Sequence, residues 1–299
     1  MAGIRDRHTK ISLYENRSVG EIINIAIDFL RQNWRTALRL SVYMLFPIAL
    51  LHSVGIFTLV MSLTRDNYNS TDMGFMLNML FFFIGLSATY TLILTLVQYY
   101  QGSADGDLSM LTFRDVRGTL WRNFRRVFTA MIPILLLMVV CSLFFLVLMI
   151  IPLVSIAAFV AYFLLFFIMM MIPIYYVLEG ASLSFAFKRS FTHAKESWGK
   201  LFGLMYALLL VVFIILSATS TPMMVFIFAK DSLLPSGKID MTTEMIFSTI
   251  IFVFLVIETF FAYLSMALVV TAMVFHYGRN ARLQDDLALG SDIDNFANL

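Results

Sequence analysis

Glu258 is the one acid in the interior of a long apolar run, near the middle of Ile250 to Ser265. A carboxylate at the centre of a bilayer costs roughly 2.5–3.5 kcal/mol on insertion scales, so it must be protonated, paired or turned towards water. Two roles follow: a group that handles a proton or a small solute, or a protonated acid that packs by hydrogen-bonding a neighbouring helix. His52 is the only histidine well inside an apolar run, which makes it the candidate partner for Glu258, though no spacing rule joins the two.

Other chemistry finds little footing. The four histidines (His8, His52, His193 and His276) never take the i, i+4 spacing that puts two imidazoles on one helical face, so no metal site is expected. The single cysteine, Cys141, sits in an apolar stretch and supports no disulfide framework. No glycine-rich loop followed by lysine is present to cradle a nucleotide phosphate. Gly85-Leu86-Ser87-Ala88 has the look of an intramembrane serine nucleophile but no histidine at a partner position, and Gly102 to Asp107 lies outside the apolar runs. Asn69-Ser70-Thr71 fits a glycosylation acceptor, meaningful only in a secretory-pathway host. The expectation is therefore no enzyme, no cofactor and no nucleic-acid partner.

The elements that position these residues are membrane helices. The 299 residues are 60% hydrophobic and 13% charged, with a net charge of +2, where a soluble domain carries about 25% charged residues. A hydrocarbon core of about 30 Å takes roughly 20 apolar residues of helix. By that measure the chain forms a single all-α membrane domain over 1–299 with six spans, at about 40–63, 73–100, 127–151, 154–178, 201–229 and 245–276. The uncharged block from Val127 to Leu178 is too long for one crossing and suits two, with the turn near Pro152 and Ser155. Pro47, Pro133, Pro173 and Pro222 fall within or at the ends of spans, where each removes a backbone hydrogen bond and can kink the helix. The first residues carry Arg5, Arg7, Lys10 and Arg17 without an apolar core and do not read as a cleaved leader. Of the 21 lysines and arginines, only Arg65, Lys230 and Lys238 fall on the side opposite the termini. The positive-inside rule places both termini, as tails over 1–17 and 278–299, in the cytoplasm.

The spans group into three copies of one unit, an amphipathic helix followed by a helical hairpin, over 18–100, 108–178 and 180–277. Each of the three tryptophans (Trp34, Trp121 and Trp198) precedes an odd-numbered span as an interfacial anchor. From Ser18 onward, Ile23, Ile27, Leu30 and Trp34 line one face, and Glu21, Asn24, Asp28, Arg31 and Arg35 the other. Ser18-Val19-Gly20-Glu21 has the form of a capping box. The third copy repeats this in register with Ser182, Phe187, Phe191, Ala194 and Trp198, and with Lys188, Arg189, His193 and Glu196 as its polar face. The middle copy opens at Thr112-Phe113-Arg114-Asp115 and shows an apolar face of Phe113, Val116, Leu120 and Phe124, with its tryptophan out of register. Such basic helices lie flat on the inner leaflet beside anionic headgroups, either as plain anchors or as specific lipid sites.

The segment Tyr176-Val177-Leu178-Glu179-Gly180-Ala181-Ser182-Leu183-Ser184-Phe185-Ala186-Phe187-Lys188-Arg189-Ser190, followed by Trp198 and Gly203, resembles the box of the glycerophosphoryl diester phosphodiesterase membrane-domain family and related six-span bacterial proteins. Glu179, Gly180, Ala186, Arg189, Ser190 and Trp198 carry the resemblance. It implies a membrane module in a bacterial inner membrane, without the family's soluble catalytic domain, since only about 20 residues follow His276. It brings no catalytic residue. Glu179 is expected to pair with Lys188 or Arg189, or to cap the following helix.

The function expected from these readings is that of a multi-pass, non-enzymatic module of the cell inner membrane. Its expected partners are the bilayer's anionic inner-leaflet headgroups, with a protein partner or a second copy of the chain as the further candidates. The alternative is a small-solute or proton-coupled transporter with a cavity near Glu258.

Overall fold

Long apolar segments in lipid must satisfy every peptide group within themselves, which makes helix their natural state. The computed structural model describes residues 10–64, 68–148, 152–233 and 241–297. Among these residues it holds seven α-helices and no strand: α1 (Val19–Gln32), α2 (Trp34–Thr64), α3 (Tyr68–Gly102), α4 (Phe113–Leu148), α5 (Pro152–Leu178), α6 (Leu183–Leu233) and α7 (Met241–Ala297). Six stretches are long and apolar enough to cross a membrane: Trp34–Ser62, Met73–Gly102, Phe113–Leu148, Val154–Leu178, Ser197–Lys230 and Thr242–Leu283. The chain is a multi-pass helical membrane protein.

Most of these helices extend past the apolar runs, because helix continues through the polar boundary where hydropathy no longer marks it. Pro47, Pro133, Pro173 and Pro222 all lie inside helices, so none of them ends a span. Pro152 opens α5, at the first helical position where its missing N–H costs nothing; the expected turn just before it lies outside the described residues, as do Arg65 and Lys238. Large side chains face outward along the spans, Phe144 at 69% and Phe213 at 67% exposed among them, as lipid contact requires.

The helices contribute to two compact units. The first comprises Met1–Leu38, Thr91–Met205 and Val270–Leu299. Its core includes Phe29, which meets Tyr100 and Phe275 edge-on at ring separations of 5.0 and 5.9 Å. The hairpin of α4 and α5 belongs to it, with Ser142 Oγ 3.0 Å from Tyr162 Oη. Described residues at both ends pack into this unit. Lys10 donates to the carbonyls of Gln101 and Ser103 at 2.7 Å each, and Leu13 and Arg17 are buried. At the other end Arg279, Asn280 and Ala281 are buried and α7 stays helical to Ala297. The second unit comprises Arg39–Tyr90 and Tyr206–Val269. Met223, Ile251 and Leu255 form its core, flanked by the stacked rings of Phe226 and Phe254 at 5.5 Å.

Candidate functional site

In the first unit the three amphipathic segments share one register, which the caps define. Ser18 opens α1 with a complete capping box: its N–H donates to Glu21 Oε2 at 2.7 Å, and the Glu21 N–H donates to Ser18 Oγ at 3.4 Å. The Ser18 N–H, more than its hydroxyl, holds the Glu21 carboxyl below its ordinary pKa. Thr112 opens α4 the same way, donating from its N–H to Asp115 at 2.9 Å. Ser182 opens α6, accepting from the Phe185 N–H at 3.3 Å.

Aligned on these caps, each segment presents three stripes about 100° apart on the helix. The first stripe is packed: Ile22, Ala26, Phe29 and Asn33 in α1; Val116, Leu120, Asn123 and Val127 in α4; Ala186, Ser190, His193 and Ser197 in α6. All of these are buried except Ser197, which is half-buried. The third buried position of each copy reaches a span of another copy. Phe29 meets Phe275 of α7, Asn123 donates to Thr95 and Gln98 of α3 at 2.9 and 2.8 Å, and His193 Nδ1 bonds the Tyr175 hydroxyl of α5.

The second stripe is mainly apolar and mostly open or half-buried: Ile23, Ile27, Leu30 and Trp34; then Arg117, Trp121, Phe124 and Phe128; then Phe187, Phe191, the buried Ala194 and Trp198. Trp34, Trp121 and Trp198 are each more than half exposed. The third stripe is polar, and at one equivalent position in all three copies it carries an exposed cation: Arg31, Arg125 and Lys195.

The stripe of Ile23, Ile27, Leu30 and Trp34 lies one position round from the packed face of α1. One expectation changes here. His193, expected on the polar face, is buried at 2% exposure, because its helical position repeats that of Phe29. In the middle copy the cap and packed stripe align with the others, while Trp121 occupies the place of Ile27 and Phe191 rather than that of Trp34, so its tryptophan is out of register as expected. The copy diverges in a further way. The helix breaks at Asn33 (φ −107°, ψ 14°) and at the equivalent Ser197 (φ −134°, ψ 19°), just before Trp34 and Trp198. Asn33 Nδ2 donates to the Phe29 carbonyl at 3.0 Å, and Ser197 Oγ to that of His193 at 2.9 Å, so each side chain satisfies a carbonyl near the break. The equivalent Val127 offers no such donor, and α4 runs on unbroken.

The box from Glu179 to Trp198 forms the corner between α5 and α6. Gly180 ends α5 at φ +68°, a left-handed conformation that glycine adopts without strain. Glu179 Oε1 lies 3.4 Å from Arg189 Nε and also bonds Tyr277. Ala186 is fully buried, and Ser190 Oγ donates to the Ile168 carbonyl at 2.7 Å. Arg126, unremarked in the sequence, donates to the Ala181 carbonyl at 3.2 Å and lies 4.5 Å over the Tyr176 ring. Burial raises the Glu179 pKa, against the opposing pull of Arg189. The folded state therefore holds this proton more tightly than the unfolded one, so Glu179's contribution is most favourable below the ordinary carboxylate pKa and falls as pH rises through the raised value. The wild-type thermal midpoint is expected to decline across that weakly acidic window, and Glu179→Gln to flatten the decline; parallel curves for the two proteins would assign the slope to another group.

The intramembrane candidates belong to the second unit, which does not bring them together. His52, 6% exposed, bonds Asn78 Oδ1 through Nε2 at 2.5 Å and the Tyr263 hydroxyl through Nδ1 at 2.7 Å. Both ring nitrogens are thus engaged, and Glu258 sits roughly 140° round α7 from Tyr263 at 100° per residue. Glu258 is half-buried and has no hydrogen bond or ion pair among the described residues. The Tyr263 hydroxyl also reaches the Phe81 carbonyl at 3.1 Å. A neutral His52 donates from Nε2 to Asn78 and accepts the tyrosine proton at Nδ1. The tyrosine hydroxyl thus has two acceptors within reach, His52 Nδ1 and the Phe81 carbonyl. Asn78 and Tyr263 gave no sign of this role in the sequence, because neither follows a spacing that joins helices.

The class defined by this architecture is a multi-pass helical membrane protein with three amphipathic segments in common register. Beyond that class, no protein-family model, curated protein or solved structure matches the chain.

Proposed function

We propose that this is a non-enzymatic module of a bacterial inner membrane, with both termini cytoplasmic, whose three amphipathic segments lie in the inner leaflet and hold anionic phospholipid headgroups. The observation that carries this reading is the threefold recurrence of an exposed cation (Arg31, Arg125 and Lys195) beside an exposed aromatic or aliphatic stripe on a helix whose remaining face is packed. An apolar stripe next to a basic one suits the boundary between acyl chains and headgroups, where the first enters the chains and the second meets phosphate. Tryptophan at the exposed edge of each copy fits the same boundary. The packed stripe fixes each helix to the spans, so the three cations share one rigid support. Thermal unfolding of the full chain in nanodiscs of phosphatidylcholine, with and without phosphatidylglycerol, tests the proposal: the anionic lipid is expected to raise the midpoint, and equal midpoints at low salt would contradict it.

A further inference from the structure

Beyond the exposed cations, α7 buries a cationic group that no carboxylate in the described structure neutralises. Arg279 is 4% exposed; among the described residues it donates from Nη1 to Asn280 Oδ1 at 3.3 Å, and its Nε–H is buried without an acceptor. Glu179, a carboxylate of the same unit, is engaged by Arg189 and Tyr277. One helical turn back lies His276, 1% exposed. Asn280 Nδ2 faces His276 Nε2 at 3.3 Å and also reaches Ser197 Oγ at 3.3 Å. Because the Asn280 amide oxygen accepts from Arg279, its nitrogen is the donor towards His276, and Nε2 is the acceptor. The proton of a neutral His276 therefore sits on Nδ1, and that N–H too is buried without a partner. His193 and Lys200 lie near enough for their charges to act on His276.

Orphaned buried donors are rare in folded proteins, and an uncompensated buried cation is strongly unfavourable. Here both occur within one turn of one helix, in a neighbourhood of basic groups. We propose that Arg279 and His276, held by Asn280, form a seat for a phosphate-class oxyanion, either the phosphate of a lipid headgroup or a free phosphate. Buried N–H donors one helical turn apart suit an anion with several oxygens, and a guanidinium matches phosphate better than a point charge does. The seat uses none of Arg31, Arg125 or Lys195 and so stands apart from the headgroup proposal above.

The test heats the full-length protein in detergent with sodium phosphate or with sodium chloride at equal ionic strength, and separately in nanodiscs with and without phosphatidylglycerol. A midpoint raised by phosphate identifies a free anion as a ligand; a midpoint raised by the anionic lipid alone identifies the headgroup. In either case Arg279→Gln is expected to lose the Arg279-dependent rise and, without ligand, to melt no lower than wild type, because an unpaired buried charge has been removed. A variant with Arg31, Arg125 and Lys195 neutralised is expected to keep that rise, which separates failure of this proposal from failure of the first. No rise in any arm, or the same rise in Arg279→Gln, overturns the seat. If Arg279→Gln does not fold, native mass spectrometry of the wild type decides: retained phosphate or phospholipid that is lost in His276→Phe supports the seat, and no retained species, or equal retention in His276→Phe, overturns it.

Discussion

Gly85→Ala is expected to destabilise the protein by about 3 kcal/mol. A Cβ at Gly85 falls 2.1 Å from both Cζ and Oη of Tyr263, far inside contact distance. The Tyr263 ring is 3% exposed and cannot swing aside without withdrawing its hydroxyl from His52 and from the Phe81 carbonyl. Overpacking of this kind costs about 1–3 kcal/mol, and leaving a buried polar partner unsatisfied costs about as much again. Alanine's better helix propensity returns only about 1 kcal/mol. The control is Gly118→Ala in α4, where nothing lies within 4 Å of the added methyl and only that propensity gain of about 1 kcal/mol or less is expected. Unfolding of both variants in detergent compares them directly. Equal effects would show that the tyrosine contact does not set the cost.

The combined variant Arg31→Gln, Arg125→Gln and Lys195→Gln is expected to lose about 3 kcal/mol of the stabilisation that anionic lipid confers, at about 1 kcal/mol for each basic side chain near an anionic surface. All three side chains are exposed, so in phosphatidylcholine alone the variant should stay within about 0.5 kcal/mol of wild type. Raising the salt should narrow the difference in anionic nanodiscs, since exposed charges are screened. Wild-type behaviour from the variant in anionic lipid would remove these cations from headgroup binding.

The spans were legible in the sequence because an uncharged run such as Val127 to Leu178 has few alternatives to crossing a membrane as helix. The caps were legible too: Ser18 with Glu21, and Thr112 with Asp115, form the hydrogen bonds their spacing implies. The packed face of the amphipathic segments was hidden by its own chemistry. Asn33, Ser190, His193 and Ser197 are polar, so hydropathy marks the adjacent apolar stripe, which is mostly open or half-buried, and not them. The out-of-register tryptophan of the middle copy was legible as well: Trp121 serves the exposed stripe from a different position than Trp34, counted from the cap at Thr112. The partners of His52 were out of reach for another reason: Asn78 and Tyr263 come from α3 and α7, and only helix packing brings them to one imidazole. The same packing gives His52 partners other than Glu258.

The threefold interfacial arrangement is tested most directly by nitroxide accessibility in nanodiscs, with Cys141→Ser as background and single cysteines placed at three equivalent sets of positions. At Ile27, Trp121 and Phe191 the label is expected to be relaxed by oxygen dissolved in lipid; at Arg31, Arg125 and Lys195, by a water-soluble nickel complex; at Ala26, Leu120 and Ser190, by neither. Relaxation by the nickel complex at Ile27, Trp121 and Phe191 as strong as at the basic positions would mean that these helices stand in water, and would contradict the account.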